Sequence, residues 1–127
     1  MKISVLSIVQ RGALDGLLTL ETRERRALQP DEVEFHVRSV GINVGAGVVS
    51  RRSRRLGYCA AGVVSRVGSG VRDLKSGMSV FGIAPGCFTT HWIGVPNMMV
   101  PLPEGLSFEA ASTMPASCVF DFVHFFD

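Results

Sequence analysis

Val33, Phe35 and Val37 alternate with Glu34, His36 and Arg38, the period of two expected of a strand with one apolar and one polar face. Weaker forms of the same pattern recur at residues 3–9, 17–21, 59–67, 78–83 and 89–95. Gly, Pro or polar clusters separate them: Pro30-Asp31, Gly68-Ser69-Gly70, Ala84-Pro85-Gly86, Pro96-Asn97 and Pro103-Glu104-Gly105. Many short strands joined by closely spaced turns predict an all-β barrel or sandwich. The chain's end changes character. Ser107 is placed to cap a short helix reaching Thr113, with Glu109 in its first turn, where the helix dipole favours an anion. Pro115 interrupts, and 116–126 reads as a second helix that is apolar on every side. Four of the eight phenylalanines lie in the last eight residues, so this segment needs a cover, and a second copy of the chain is the simplest one.

Composition narrows the class. A length of 127 residues suits one domain, too short for a substrate domain plus a dinucleotide domain. With 46% hydrophobic and 19% charged residues, a folded protein is expected. No apolar run reaches the roughly 20 residues needed to cross a bilayer. The apolar start, 1–9, is cut off by Gln10-Arg11 without a small-residue cleavage site, which argues against a signal peptide and for a cytoplasmic protein. Net charge is +2, yet ten of the thirteen Lys and Arg residues precede Leu56, and 76–127 has none. Cys59, Cys87 and Cys118 are odd in number and widely spaced, which reads as free thiols rather than a disulfide framework or a zinc site.

The residues Gly57-Tyr58-Cys59-Ala60-Ala61-Gly62-Val63-Val64-Ser65-Arg66-Val67-Gly68-Ser69-Gly70-Val71, with Leu74-Lys75-Ser76-Gly77 and Val80-Phe81-Gly82, resemble the heart of the GroES-like domain of medium-chain dehydrogenases/reductases. Further motifs resemble, more narrowly, the first part of the enoylreductase domain of fungal highly reducing polyketide synthases. They are Gly12-Ala13-Leu14-Asp15, Leu28-Gln29-Pro30-Asp31-Glu32-Val33-Glu34, Val40-Gly41-Ile42-Asn43, Ala84-Pro85-Gly86-Cys87-Phe88-Thr89-Thr90-His91 and Val100-Pro101-Leu102-Pro103-Glu104-Gly105-Leu106. The resemblance implies a partly open GroES-like β-barrel with C-terminal helices, a single domain over 1–127; the apolar character of its helical segment, 106–127, sets the expectation that this segment sits at an oligomer interface, most simply a homodimer's.

The departures from the family matter as much. Val44, Gly45 and Ala46 stand where the family has an aromatic residue, a basic residue and an aspartate, and Cys59 replaces the acid of a Gly-x-Glu element. Zinc members need a Cys and a His-Glu pair where this chain has Asn43 and Tyr58-Cys59, so the resemblance implies no metal. No glycine-rich strand–turn–helix follows the barrel, so no coenzyme is expected. Gly45-Ala46-Gly47 and Gly68-Ser69-Gly70 are read as decoys.

The resemblance places Asn43, Tyr58 and Cys59 along a cleft. There Tyr58 and Asn43 either polarise a carbonyl or satisfy barrel-edge backbone. Val44, Cys59, His91, Cys118 and Phe122 are expected pocket neighbours, with packing the plainer role for His91; His36 is expected on the solvent side of its strand. Asp121 and His124, three residues apart on the terminal helix, read equally as a proton-handling pair or a polar seam. Arg51, Arg52, Arg54 and Arg55 either dock an anionic partner, such as an acyl carrier protein or the polyketide synthase that bears it, or form a solvated loop. With no aromatics between these arginines, nucleic acid is not expected. Three functions follow: a cofactor-free cyclase or isomerase acting on an apolar, carbonyl-bearing polyketide; a non-catalytic binder of a synthase in trans; or an inactive fragment of an NADPH-dependent enoylreductase.

Overall fold

The computed structural model describes residues 4–11, 17–41 and 56–113. Among these described residues, seven strands form two sheets: β1 (Ser4–Arg11), β2 (Leu17–Glu24), β3 (Val33–Gly41), β4 (Cys59–Val67), β5 (Ser79–Ile83), β6 (His91–Gly94) and β7 (Met99–Pro101). β1 and β2 make an antiparallel ribbon in register from Ser4–Glu24 to Arg11–Leu17. The other five run in the order β6-β3-β4-β5-β7, every neighbouring pair antiparallel. The strands expected from alternation are all present. β7, too short for a period to show, was not foreseen, and Pro96–Met98 before it forms a 3-10 turn.

Residues 88–90 tie the ribbon to the sheet. The Ile8 N–H donates to the Phe88 carbonyl at 2.9 Å, the Thr90 N–H to the Leu6 carbonyl at 2.9 Å, and the Val37 N–H to the Thr90 carbonyl at 2.9 Å. The Leu6 N–H donates to Thr90 Oγ1, and Ser7 Oγ to Thr89 Oγ1. One extended segment thus serves β1 on one side and β3 on the other, which curls the two sheets into a partly open barrel. Val33, Phe35, Ala60, Val64, Leu74, Val80 and Trp92 fill the core. The Phe35 and Trp92 rings meet at 5.3 Å in a tilted pair, and the indole N–H donates to the Pro85 carbonyl, so the one polar atom of Trp92 is satisfied.

Two bulges interrupt the β3–β4 ladder. On β4, Ser65 has no partner residue between Arg66, opposite Glu34, and Val64, opposite Phe35; on β3, Arg38 has none between Val37, opposite Gly62, and Ser39, opposite Ala61. The first corrects the expectation of a wet polar face. Glu34 is fully buried, its carboxylate taking hydrogen bonds from Arg25, from Arg66 (2.7 Å at Oε2) and from Ser65 Oγ (2.7 Å). The segment after β2 folds over that face and carries Arg25 onto it. His36 is likewise half-buried rather than solvent-facing, its ring stacked on His91 at 4.8 Å.

At the far end, residues 108–113 are helical. Ser107 caps them as expected, its Oγ accepting the Ala110 N–H at 3.1 Å. Ser112 Oγ and Ser39 Oγ lie 2.9 Å apart, fixing this turn against the end of β3. The second helix expected at 116–126, with Cys118, Asp121, Phe122 and His124, lies outside the described residues, as do Asn43, Val44, Arg51, Arg52, Arg54 and Arg55. Among the described residues no helix is long and apolar enough to cross a membrane.

Candidate functional site

An open cleft of about 430 Å³ lies between β1, β3 and the 87–90 segment, within the roughly 300–1,000 Å³ usual for small-molecule sites. Leu6, Ile8 and Leu20 of the ribbon line one side, Val37 and Val40 of β3 the other, and Phe88 the segment between them. Leu6 and Leu20 are large apolar side chains left exposed at its edge. Ser39, Thr89 and Thr90 add hydroxyls, each already engaged within the protein. Among the described residues Arg38 is the one charged side chain in the lining.

Of the residues expected to carry chemistry or line a pocket, Tyr58, Cys59 and His91 are described, and none of the three is among the residues lining this cleft. Cys59 is fully buried in the core at the start of β4: its register, opposite Gly41 on β3 and Ile83 on β5, sets it at the centre of the five-stranded sheet. Cys87 touches the cleft, yet is itself buried, and its Sγ donates to the Cys59 carbonyl at 3.4 Å. Burial, and then the neighbouring Cys59, push the Cys87 thiol up to about 12, so it is no thiolate near neutral pH. His91 lies away from this cleft. Pairing with His36 across β3 and β6 sets it beside a separate polar recess with Arg23, Glu24, Arg25 and Arg26. Burial lowers its pKa, and the nearby His36 and Arg25 reinforce this against the opposing pull of Glu34. Tyr58 is half-buried, and its carbonyl accepts the Ala84 N–H at 2.7 Å. It is not among the residues lining the cleft, and follows by two residues the Leu56 whose carbonyl accepts the Phe88 N–H.

The cleft residues themselves were not singled out from sequence. Alternation counts Arg38 as one more polar residue of a two-faced strand, and nothing in the spacing announces the bulge at which it sits. The two glycines of Gly68-Ser69-Gly70 donate their N–H groups to the Glu32 and Pro30 carbonyls, so that loop is the turn it was expected to be and no cradle for phosphate. Among the described residues no three metal-ligating side chains converge.

No family model matches the chain. It is 35% identical over 111 residues to the highly reducing polyketide synthase 1 of Aureobasidium melanogenum, covering 85% of this chain and 5% of that protein. The chain spans 4 to 6% of the length of the first fungal synthases it matches. Among solved structures it superposes on the CurK enoyl reductase with a TM-score of 0.78 at 22% identity, over 91% of this chain and 40% of that one. The CurF ER cyclopropanase from the curacin A biosynthetic pathway gives a TM-score of 0.71 at 26% identity, over 87% of this chain and 37% of that one. Barrel, ribbon and relatives agree: the chain is a GroES-like domain of the medium-chain dehydrogenase/reductase superfamily, enoylreductase-like in fold and homologous to a short segment of the fungal highly reducing polyketide synthases.

Proposed function

We propose that this domain serves polyketide biosynthesis by holding an apolar, carbonyl-bearing chain and promoting a step that needs no coenzyme: cyclisation, pericyclic closure or double-bond isomerisation. The observation that carries the reading is the make-up of the cleft, almost wholly apolar and of small-molecule size, in a chain whose relatives are polyketide synthases. A flexible chain folded against Val37, Val40, Ile8 and Phe88 has its reacting ends brought together, and orientation of that kind supplies a large part of an intramolecular barrier reduction. That a protein named a cyclopropanase shares this fold supports ring closure as a chemistry the scaffold hosts. Tyr58 and Asn43 are the proposed donors toward a substrate carbonyl, Asp121 and His124 the proposed proton handlers, and two copies are proposed to pair through 116–126.

The test is incubation of the purified chain with a linear enone-bearing polyketide mimic, with and without NADPH. We expect a cyclised or isomerised product of unchanged mass, formed equally in both arms and diminished in Tyr58→Phe. A product heavier by two hydrogens that forms only with NADPH would mean reduction and overturn the reading. Binding without turnover would favour instead a non-catalytic partner of a synthase or its carrier protein, docked through Arg51, Arg52, Arg54 and Arg55.

A further inference from the structure

We infer that the cleft takes its ligand in one orientation, with an anionic head group on Arg38 and an aliphatic tail along the ribbon, so that its preferred occupants are free medium-chain carboxylates. This deepens the binding half of the proposed function and rests on it. Three observations carry the inference. First, among the described residues Arg38 is the sole charged group lining a recess otherwise made of Leu6, Ile8, Leu20, Val37, Val40 and Phe88 and of hydroxyls already engaged. Second, among the described residues its charge has no partner. Arg25 and Arg66 share the Glu34 carboxylate and Arg26 pairs with Glu32, whereas no carboxylate among the described residues pairs with Arg38. Third, Arg38 is the extra residue of a bulge, the device by which a strand departs from alternation and re-aims a side chain. The consecutive residues Val37, Arg38, Ser39 and Val40 all reach the cleft, which a regular strand, turning alternate residues to opposite faces, would not allow.

A guanidinium at the edge of an apolar recess selects amphipathic anions over neutral chains of the same length. The tail gains burial, and the head gains a planar two-pronged donor suited to a carboxylate. At a position this exposed the charge is partly screened, so the discrimination is modest and salt-sensitive.

Calorimetric titration with decanoate and with decan-1-ol separates the possibilities. We expect decanoate to bind about tenfold tighter at low salt, the difference shrinking as salt rises. Arg38→Ala removes the preference while leaving decanol affinity in place, and Arg38→Lys restores part of it. Leu20→Glu, on a side chain 65% exposed and so tolerant of substitution, weakens both ligands. Equal binding of the two ligands by the native chain, with Arg38→Ala indifferent, overturns the oriented site but leaves the apolar cleft standing. Failure of both ligands and of the enone mimic to bind overturns the cleft as well.

Discussion

Glu34 shows most directly how a single side chain departs from its apparent place in the pattern. By spacing it belongs to a wet face with His36 and Arg38, yet it has no solvent exposure and is held by two arginines and a serine. Burial alone would raise its pKa; the hydrogen bonds from Arg25, Arg66 and Ser65 outweigh that and hold it at about 2. The native value lies below the ordinary 4.5, so the unfolded chain binds more protons between those limits. The contribution is therefore complete above about 4.5 and lost as pH falls towards 2. Glu34→Gln strands two guanidinium groups beside a neutral amide and is expected to cost about 3 kcal/mol near pH 7. Urea unfolding measures this, and the variant's stability should fall less between pH 4.5 and 2 than the parent's. Indistinguishable pH profiles would show that the carboxylate is not linked to folding. The thiols provide a second check at this scale. Cys59 and Cys87 are both buried, so in a Cys118→Ser background neither should be alkylated at neutral pH until denaturant is added. Rapid native labelling of Cys59 would return it to the list of accessible groups and reopen a nucleophilic role.

At the level of elements, most of the architecture was legible because the signals are local. Alternation located the longer strands, Gly and Pro located the turns, and a serine ahead of a helical run located the cap at Ser107. What stayed hidden is what depends on pairing. Neither bulge has a local signature, since the same residues in a regular ladder would read identically; with the bulges went the cleft wall at 37–40 and the role of Ser65. β7 is three residues long, shorter than any period can reveal. Gly57 joins the two kinds of information. Its φ of +106° is a glycine conformation, and a Cβ there would lie 2.7 Å from Cys87 Sγ and 2.9 Å from the Phe88 nitrogen. This permits the 56–58 strip to lie against 84–88, where three N–H groups reach the carbonyls of Leu56, Gly57 and Tyr58. Gly77 is the natural control: its φ is +93°, but an added Cβ would meet nothing within 4 Å. Gly77→Ala should cost about 1 kcal/mol, the conformational part alone, and Gly57→Ala about 3 kcal/mol or more. Thermal or urea unfolding of the pair measures the difference. Equal losses would mean that the crowding against Cys87 and Phe88 relaxes freely.

At the scale of the whole molecule, two parts are joined unequally. Five strands share one ladder with Phe35, Val64, Val80 and Trp92 at its core, whereas β1 and β2 form a ribbon of two, and two strands alone are marginal in water. Among the described residues, the bonds that moor the ribbon run from Leu6, Ser7 and Ile8 to 88–90. The cleft lies along that same seam, lined from the ribbon by Leu6, Ile8 and Leu20 and from the sheet by Val37 and Val40. An occupant would therefore touch both parts and add to the mooring. Amide hydrogen exchange should find β1 and β2 opening with a smaller free energy than β3 and β4 in the free chain. A cleft ligand at about a hundred times its dissociation constant stabilises the bound form by about 2.7 kcal/mol. If the ribbon opens by leaving the seam, that increment appears as about a hundredfold slower exchange at Leu6, Ile8 and Thr90, whose N–H groups form the mooring. The central amides of β4, at Ala60 to Val64, slow by that same factor only if the ribbon and the sheet open together. Slowing confined to the ribbon and 88–90 would identify the seam as the place where binding couples to folding. Unchanged protection at Leu6 and Ile8, with ligand demonstrably bound, would locate the occupied site elsewhere on the molecule.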